Sequence, residues 1–189
     1  MQLLKQALIF LENLVFPPCC LICGKSCKKI LCRECKNKLY KKAELKETEI
    51  NEKEYYFKKH IYIFEYKKEI RNLILDYKFH DKSYLYKIFS EIIIKNKKIF
   101  GILKKYDIIL PVPIHKKRKS QRGYDQSVLI AKAVAQSIEN LEYKNSVLQK
   151  IKNTLPQSTL NKNERKQNAK NAYKIKNKEK ILNKKIILL

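Results

Sequence analysis

The chain has 189 residues, 44% hydrophobic and 32% charged. That is enough apolar material for one domain with a small appendage, and it excludes wholesale disorder. Three glycines and five prolines exclude collagen-like and Gly/Pro low-complexity classes, and no apolar run is long enough to span a bilayer. With 43 Lys+Arg against 18 Asp+Glu the net charge is +25, which favours polyanions or reflects a lysine-rich codon bias. The five arginines (33, 71, 118, 122 and 165) therefore carry more information than the lysines.

In residues 1–18, Leu4, Leu8, Leu11 and Val15 recur at helical spacing, and Glu12 and Asn13 interrupt the apolar run. Pro17 and Pro18 stand where a leader would have small residues for cleavage. This pattern predicts an amphipathic helix that packs on the domain; binding to a membrane surface is the other reading.

All six cysteines lie farther along, between Cys19 and Cys35. Cys20-x2-Cys23 and Cys32-x2-Cys35 predict two facing knuckles, each converging two sulfurs on one ion, in a module covering 19–40. A closed four-thiolate zinc site is structural rather than catalytic. A redox C-x-x-C would need a βαβ context, and a disulfide scaffold would need an oxidising compartment. Gly24 suits the positive φ of a knuckle turn. Cys19 and Cys27 are left over, and Cys27 is an alternative ligand or a free thiol.

Residues 41–57 are mostly polar and read as a linker, or as a solvated helix over 41–54. His60–Tyr66 reads as a strand. Ile70, Leu73, Ile74 and Tyr77 predict a helix, and Leu85, Ile88, Phe89, Ile92 and Ile93 another, ended at or near Gly101. Asp107–Val112 is a continuous apolar run of the kind a parallel strand buried on both faces shows. A basic loop, His115–Arg122, leads through Gly123 to a helix carrying Val128, Ala131, Val134 and Ile138. Strand–loop–helix is the layout in which α/β proteins hold phosphates. Ser146–Ile151 is a further strand candidate, Asn161-x-x-Glu164 has the form of a capping box, and Lys185–Leu189 reads as a buried strand.

Within this layout Arg118 and Arg122 are the strongest phosphate candidates, because a guanidinium is a planar fork. A solvated basic loop is the alternative. Gly123 would let the backbone approach a ligand, whereas Tyr124 and Gln126 either contact the anion or pack the helix. His115, at the strand's C-terminal end, is as readily a structural histidine as a phosphate contact. His60 and His80 have no assigned role.

From residue 16 onward the chain resembles the ComF family of competence-associated phosphoribosyltransferase-like proteins. The matching pieces, in the family's order, are FPPCCLICG with LCREC, DIILPVPIH, RKSQRGYDQS, TLPQSTLNKNERKQNAKNAY and KKIILL. The resemblance implies an α/β fold with a type I phosphoribosyltransferase-like parallel sheet over 58–189, behind an N-terminal zinc-ribbon-like module. It implies cytoplasmic work in natural transformation, on incoming DNA or its products. The loop holding Arg118, Arg122, Gly123, Tyr124 and Gln126 corresponds to the pyrophosphate side, and Gln157 and Arg165 to the flexible loop. The family typically has Asn where this chain has Asp125.

The family continues beyond this last strand into adjacent acids and a Thr/Gly-rich loop for phosphoribosyl pyrophosphate and magnesium. This chain has four Asp, none adjacent, and ends there. The sheet is therefore expected to be incomplete at the C-terminus, and the chain as given to lack transfer activity. The alternative function is a non-catalytic accessory binding zinc, single-stranded DNA or a competence helicase.

Overall fold

The structure is a computed structural model, which describes residues 17–50 and 57–189. Residues 1–16 of the amphipathic helix expected over 1–18, and part of the expected linker, 51–56, lie outside the described residues. The chain divides into two compact units between Ile74 and Leu75.

The described part of the first unit begins with an irregular turn segment, where Cys19 forms an isolated antiparallel bridge with Ser26. Helix α1 (Arg33–Lys42) comes next, with Cys35 and Leu39 on its buried side. The segment read as a linker contains the end of α1 and a strand, β1 (Lys46–Glu49). β1 pairs antiparallel with β2 (Lys59–Tyr62), Lys46 opposite Tyr62. KETE carries no apolar alternation, so β1 is specified by its partner rather than by its own pattern. Helix α2 (Lys68–Phe79) contains the division between the units.

In the second unit, α3 (Tyr86–Lys95) ends at Asn96 rather than near Gly101. Asn96 at once caps α4 (Lys97–Leu103), its side-chain oxygen accepting from the Ile99 N–H at 3.2 Å. An amide side chain that can end one helix and start the next outweighs glycine as a stop signal here. β3 (Ile108–Leu110) is followed by α5 (Lys116–Arg122) and α6 (Gln126–Ala135), and then by β4 (Glu142–Tyr143). β5 (Leu148–Lys150) and β6 (Tyr173–Ile175) flank a segment that contains α7 (Lys162–Ala169). β7 (Ile186–Leu188) comes last.

The parallel sheet runs in the order β4-β3-β7, with Ile108 opposite both Glu142 and Ile186. Its middle strand is apolar at every position because both faces are covered, and Ile108, Ile109 and Leu110 are all buried. Val147 packs with Ile108 and Leu110, with Ile181 and Ile186 against them. α3 packs on α6, which brings Ile88 and Ile92 together with Ala131 and Val134 in the core. The Ser146–Ile151 strand exists as β5, but it pairs antiparallel with β6 outside the parallel sheet. Among the described residues, no helix is long and apolar enough to cross a membrane.

Candidate functional site

Two constellations stand out, one in each unit. In the first unit, the sulfurs of Cys20, Cys23, Cys32 and Cys35 all lie within 4.8 Å of one another, with Cys23 and Cys32 at 3.8 Å. The first pair sits on a turn closed by the Gly24 N–H to the Cys20 carbonyl at 2.9 Å, with Gly24 at φ +72° as its position requires. The second pair is not a facing knuckle. Cys32 is the N-cap of α1, its sulfur accepting from the Cys35 N–H at 3.4 Å. One helical turn separates the two, so their sulfurs share a side, and the helix's positive end favours thiolates there.

Burial alone would raise the Cys20 thiol, but the N–H groups of Cys23, Cys32 and Ile22 outweigh it and hold its pKa at about 6. Cys35 goes the other way, pushed up by burial and by the neighbouring sulfurs of Cys23, Cys32 and Cys20. Four crowded sulfurs cannot all ionise without a cation among them, and these four can hold a metal ion. Cys27 lies outside the cluster and donates its S–H to the Lys29 carbonyl at 3.0 Å. Cys19 is exposed.

The second unit holds an open cleft of about 430 Å³ lined by Lys78, Phe79, Asp81, Arg118, Gln121, Arg122 and Pro156. The basic segment expected as a loop is the helix α5. Its N-cap is His115, whose Nδ1 accepts from the Lys117 N–H at 3.3 Å. Gly123 ends α5 at φ +76°. The N-terminus of α6, where an anion was expected, is capped by this chain's own carboxylate. Asp125 is 5% exposed and accepts from the N–H groups of Val128 at 3.4 Å and Ile114 at 3.0 Å.

Arg118 and Arg122 both reach the cleft. Arg118 Nη2 donates to the Thr154 carbonyl at 3.0 Å, which ties α5 to the segment ahead of Pro156. Arg122 Nη1 donates to Gln126 Oε1, and its guanidinium carbon lies 5.2 Å from the centre of the Phe79 ring. Burial and the adjacent charge of Arg118 lower the Arg122 pKa, and burial and Arg122 lower that of Lys78. Such mutual opposition of like charges is what a bound anion relieves.

Gly123, Tyr124 and Gln126 do not line the cleft. The Tyr124 hydroxyl donates to the Tyr77 carbonyl, and Gln126, buried, donates to the same carbonyl at 3.3 Å. Tyr77 returns a bond from its hydroxyl to the Gln126 carbonyl at 2.9 Å. These residues fasten α6 to α2 and hold Arg122 in place. Arg165 and Gln157 are not among the residues lining the cleft; Arg165 Nε donates to the carbonyls of Gln157 and Leu160, each at 2.9 Å. The capping box is present, with the Glu164 N–H on Asn161 Oδ1 at 3.0 Å and the Asn161 N–H on Glu164 Oε2 at 2.8 Å.

Lys78, Phe79, Asp81, Gln121 and Pro156 were not read as site residues. The available signal was an aromatic residue flanked by charge at the end of a helix, in YKFHDK.

No family model matches the chain. It is similar to Competence protein F of Haemophilus influenzae, 28% identical over 122 residues, covering 62% of this chain and 52% of the relative. The chain thus spans about half the length of the curated relative it matches. This similarity supports the resemblance to the ComF family carried by the sequence motifs.

Proposed function

We propose that this chain is a ComF-like protein of the phosphoribosyltransferase family acting in DNA uptake, and that its cleft takes phosphorylated ribose compounds or products of incoming DNA. The observation that carries the reading is that Arg118 and Arg122, two of only five arginines, line one cleft after a buried parallel strand, with Lys78 beside them. Guanidinium forks bind phosphate oxygens and stabilise the charge that builds on a departing pyrophosphate. A parallel β4-β3-β7 sheet with helices between its strands is compatible with a type I phosphoribosyltransferase core. Magnesium, expected of a complete member, would find one carboxylate in the cleft lining, Asp81, and would neutralise phosphate charge there.

For the four cysteines the reading is structural zinc. Thiolates about 2.3 Å from a zinc ion stand about 3.8 Å apart in a tetrahedron. Cys23 and Cys32 match that edge, at 3.8 Å.

The test is titration of the protein with pyrophosphate, followed by NMR of the amides of 115–126. Shifts there that Arg118→Gln and Arg122→Gln remove support the reading, and no shifts refute it. The net charge of +25 favours a second reading, a non-catalytic accessory that binds nucleic acid. In that case affinity rises with oligonucleotide length and falls steeply with salt.

A further inference from the structure

The last turn of α2 carries Lys78, which lines the cleft with Arg118 and Arg122. The nearest acid on that helix is already taken, because Asp76 is bonded to Lys82 at 2.9 Å and to His80 at 2.8 Å. Among the described residues, neither Lys78 nor Asp81, the carboxylate of the cleft lining, enters an ion pair. The neighbouring charge is held in place. Arg122 is bonded to Gln126 and covers the Phe79 ring, and Gln126 is anchored on the Tyr77 carbonyl, one residue before Lys78. An amine with a fixed cation beside it and no carboxylate of its own gives up its proton more readily than a solvated lysine, and burial and Arg122 lower the Lys78 pKa. A guanidinium stays protonated throughout. The cleft therefore combines two permanent cations with one amine that can act as a nucleophile.

Resting on the phosphate reading of the two arginines, we infer that Lys78 forms an imine with a phosphorylated aldehyde, such as the open-chain form of a pentose 5-phosphate. The phosphate lies on Arg118 and Arg122, and the aldehyde carbon meets Lys78 Nζ. The lone pair of the neutral amine forms the C–N bond while the carbonyl π pair moves to oxygen. Both protons of the nitrogen pass to that oxygen, which leaves as water as the C=N bond closes. No oxidant or reductant enters. Asp81, unpaired in the same lining, is the acid–base group that carries a proton from nitrogen to oxygen.

The experiment incubates the protein with 2-deoxyribose 5-phosphate, reduces any imine with sodium borohydride, and maps the adduct by peptide mass spectrometry. We expect the adduct chiefly on Lys78, with Lys82, ion-paired to Asp76, as the neighbouring control. Excess pyrophosphate should suppress it, and 2-deoxyribose without phosphate should label Lys78 no more than Lys82. Arg118→Gln should lower the labelling about tenfold at low sugar-phosphate concentration, the worth of one charge-assisted hydrogen bond. Lys78→Arg keeps the charge, so it should lose the adduct and still bind pyrophosphate. An adduct spread evenly over the lysines, or one on Lys78 that pyrophosphate does not suppress, overturns the inference. No adduct on Lys78 while pyrophosphate shifts the amides of 115–126 overturns it in favour of a third phosphate cation, and leaves the anion reading standing. Absence of both adduct and shifts removes both.

Discussion

Replacing Asp125 should separate its structural role from any ligand contact. The buried carboxylate accepts from the Ile114 N–H at 3.0 Å, the Ser127 hydroxyl at 2.8 Å and the Val128 N–H at 3.4 Å. It thereby joins the end of the strand–helix connection to the first turn of α6. Asp125→Ala removes an N-cap, about 1 kcal/mol. It also strands the Ile114 N–H, another 1–2 kcal/mol or so. The expected loss is about 2–3 kcal/mol, or roughly 5–10 °C in a chain of this size.

Asp125→Asn should behave differently. Ser127 Oγ lies within bonding distance of both the Val112 carbonyl, at 2.7 Å, and Asp125 Oδ1, yet it has one proton. An asparagine can donate from its amide to Ser127, which then donates to Val112, while its oxygen still accepts from Ile114. Only the long Val128 contact is lost, so the cost should stay under about 1 kcal/mol, consistent with the Asn typical of the ComF family. Thermal melts, with hydrogen exchange at the Ile114 amide, measure both variants. The reasoning is refuted if Asp125→Ala lies within about 0.5 kcal/mol of wild type, or if Asn is as damaging as Ala.

Cys32→Ser should lower bound zinc from about one ion per chain to a small fraction, read by elemental analysis of reduced protein. Gly123→Ala should cost about 1–2 kcal/mol, from backbone conformation alone. Gly123 sits at φ +76° and an added Cβ would meet nothing within 4 Å, so a denaturation shift near zero would contradict the left-handed turn. Asp76 opposes the effect of burial with bonds from Lys82 at 2.9 Å and His80 at 2.8 Å, which hold its carboxyl below the usual range. A depressed carboxyl stabilises above its unfolded value, about 3.9, and loses that contribution as pH falls through its lower folded value. Asp76→Asn should therefore flatten the stability profile below about pH 4 by up to about 1 kcal/mol, as acid titration would measure.

The sequence by itself determined local features. The C-x-x-C spacing places each pair of sulfurs within one turn, so the cluster of Cys20, Cys23, Cys32 and Cys35 was legible without any fold. The Asn161–Glu164 box spans one turn of helix and formed as read. The uninterrupted run in DIILPV announced a strand buried on both faces, because burial on both faces removes alternation. Tertiary structure decided the rest. KETE became a strand only through pairing with Lys59–Tyr62, and the strand within Ser146–Ile151 pairs antiparallel with a partner that lies beyond α7 in the chain. Whether the second cysteine pair starts a helix or closes a hairpin depends on the packing of the residues after Cys35, since the same spacing serves both. The cleft was the least legible. Phe79 at the end of α2, Arg122 on α5 and Pro156 beyond β5 are each ordinary in their own segments. Their meeting depends on α6 being fastened to α2 through Tyr77, Tyr124 and Gln126, contacts more than forty residues apart that no local pattern encodes.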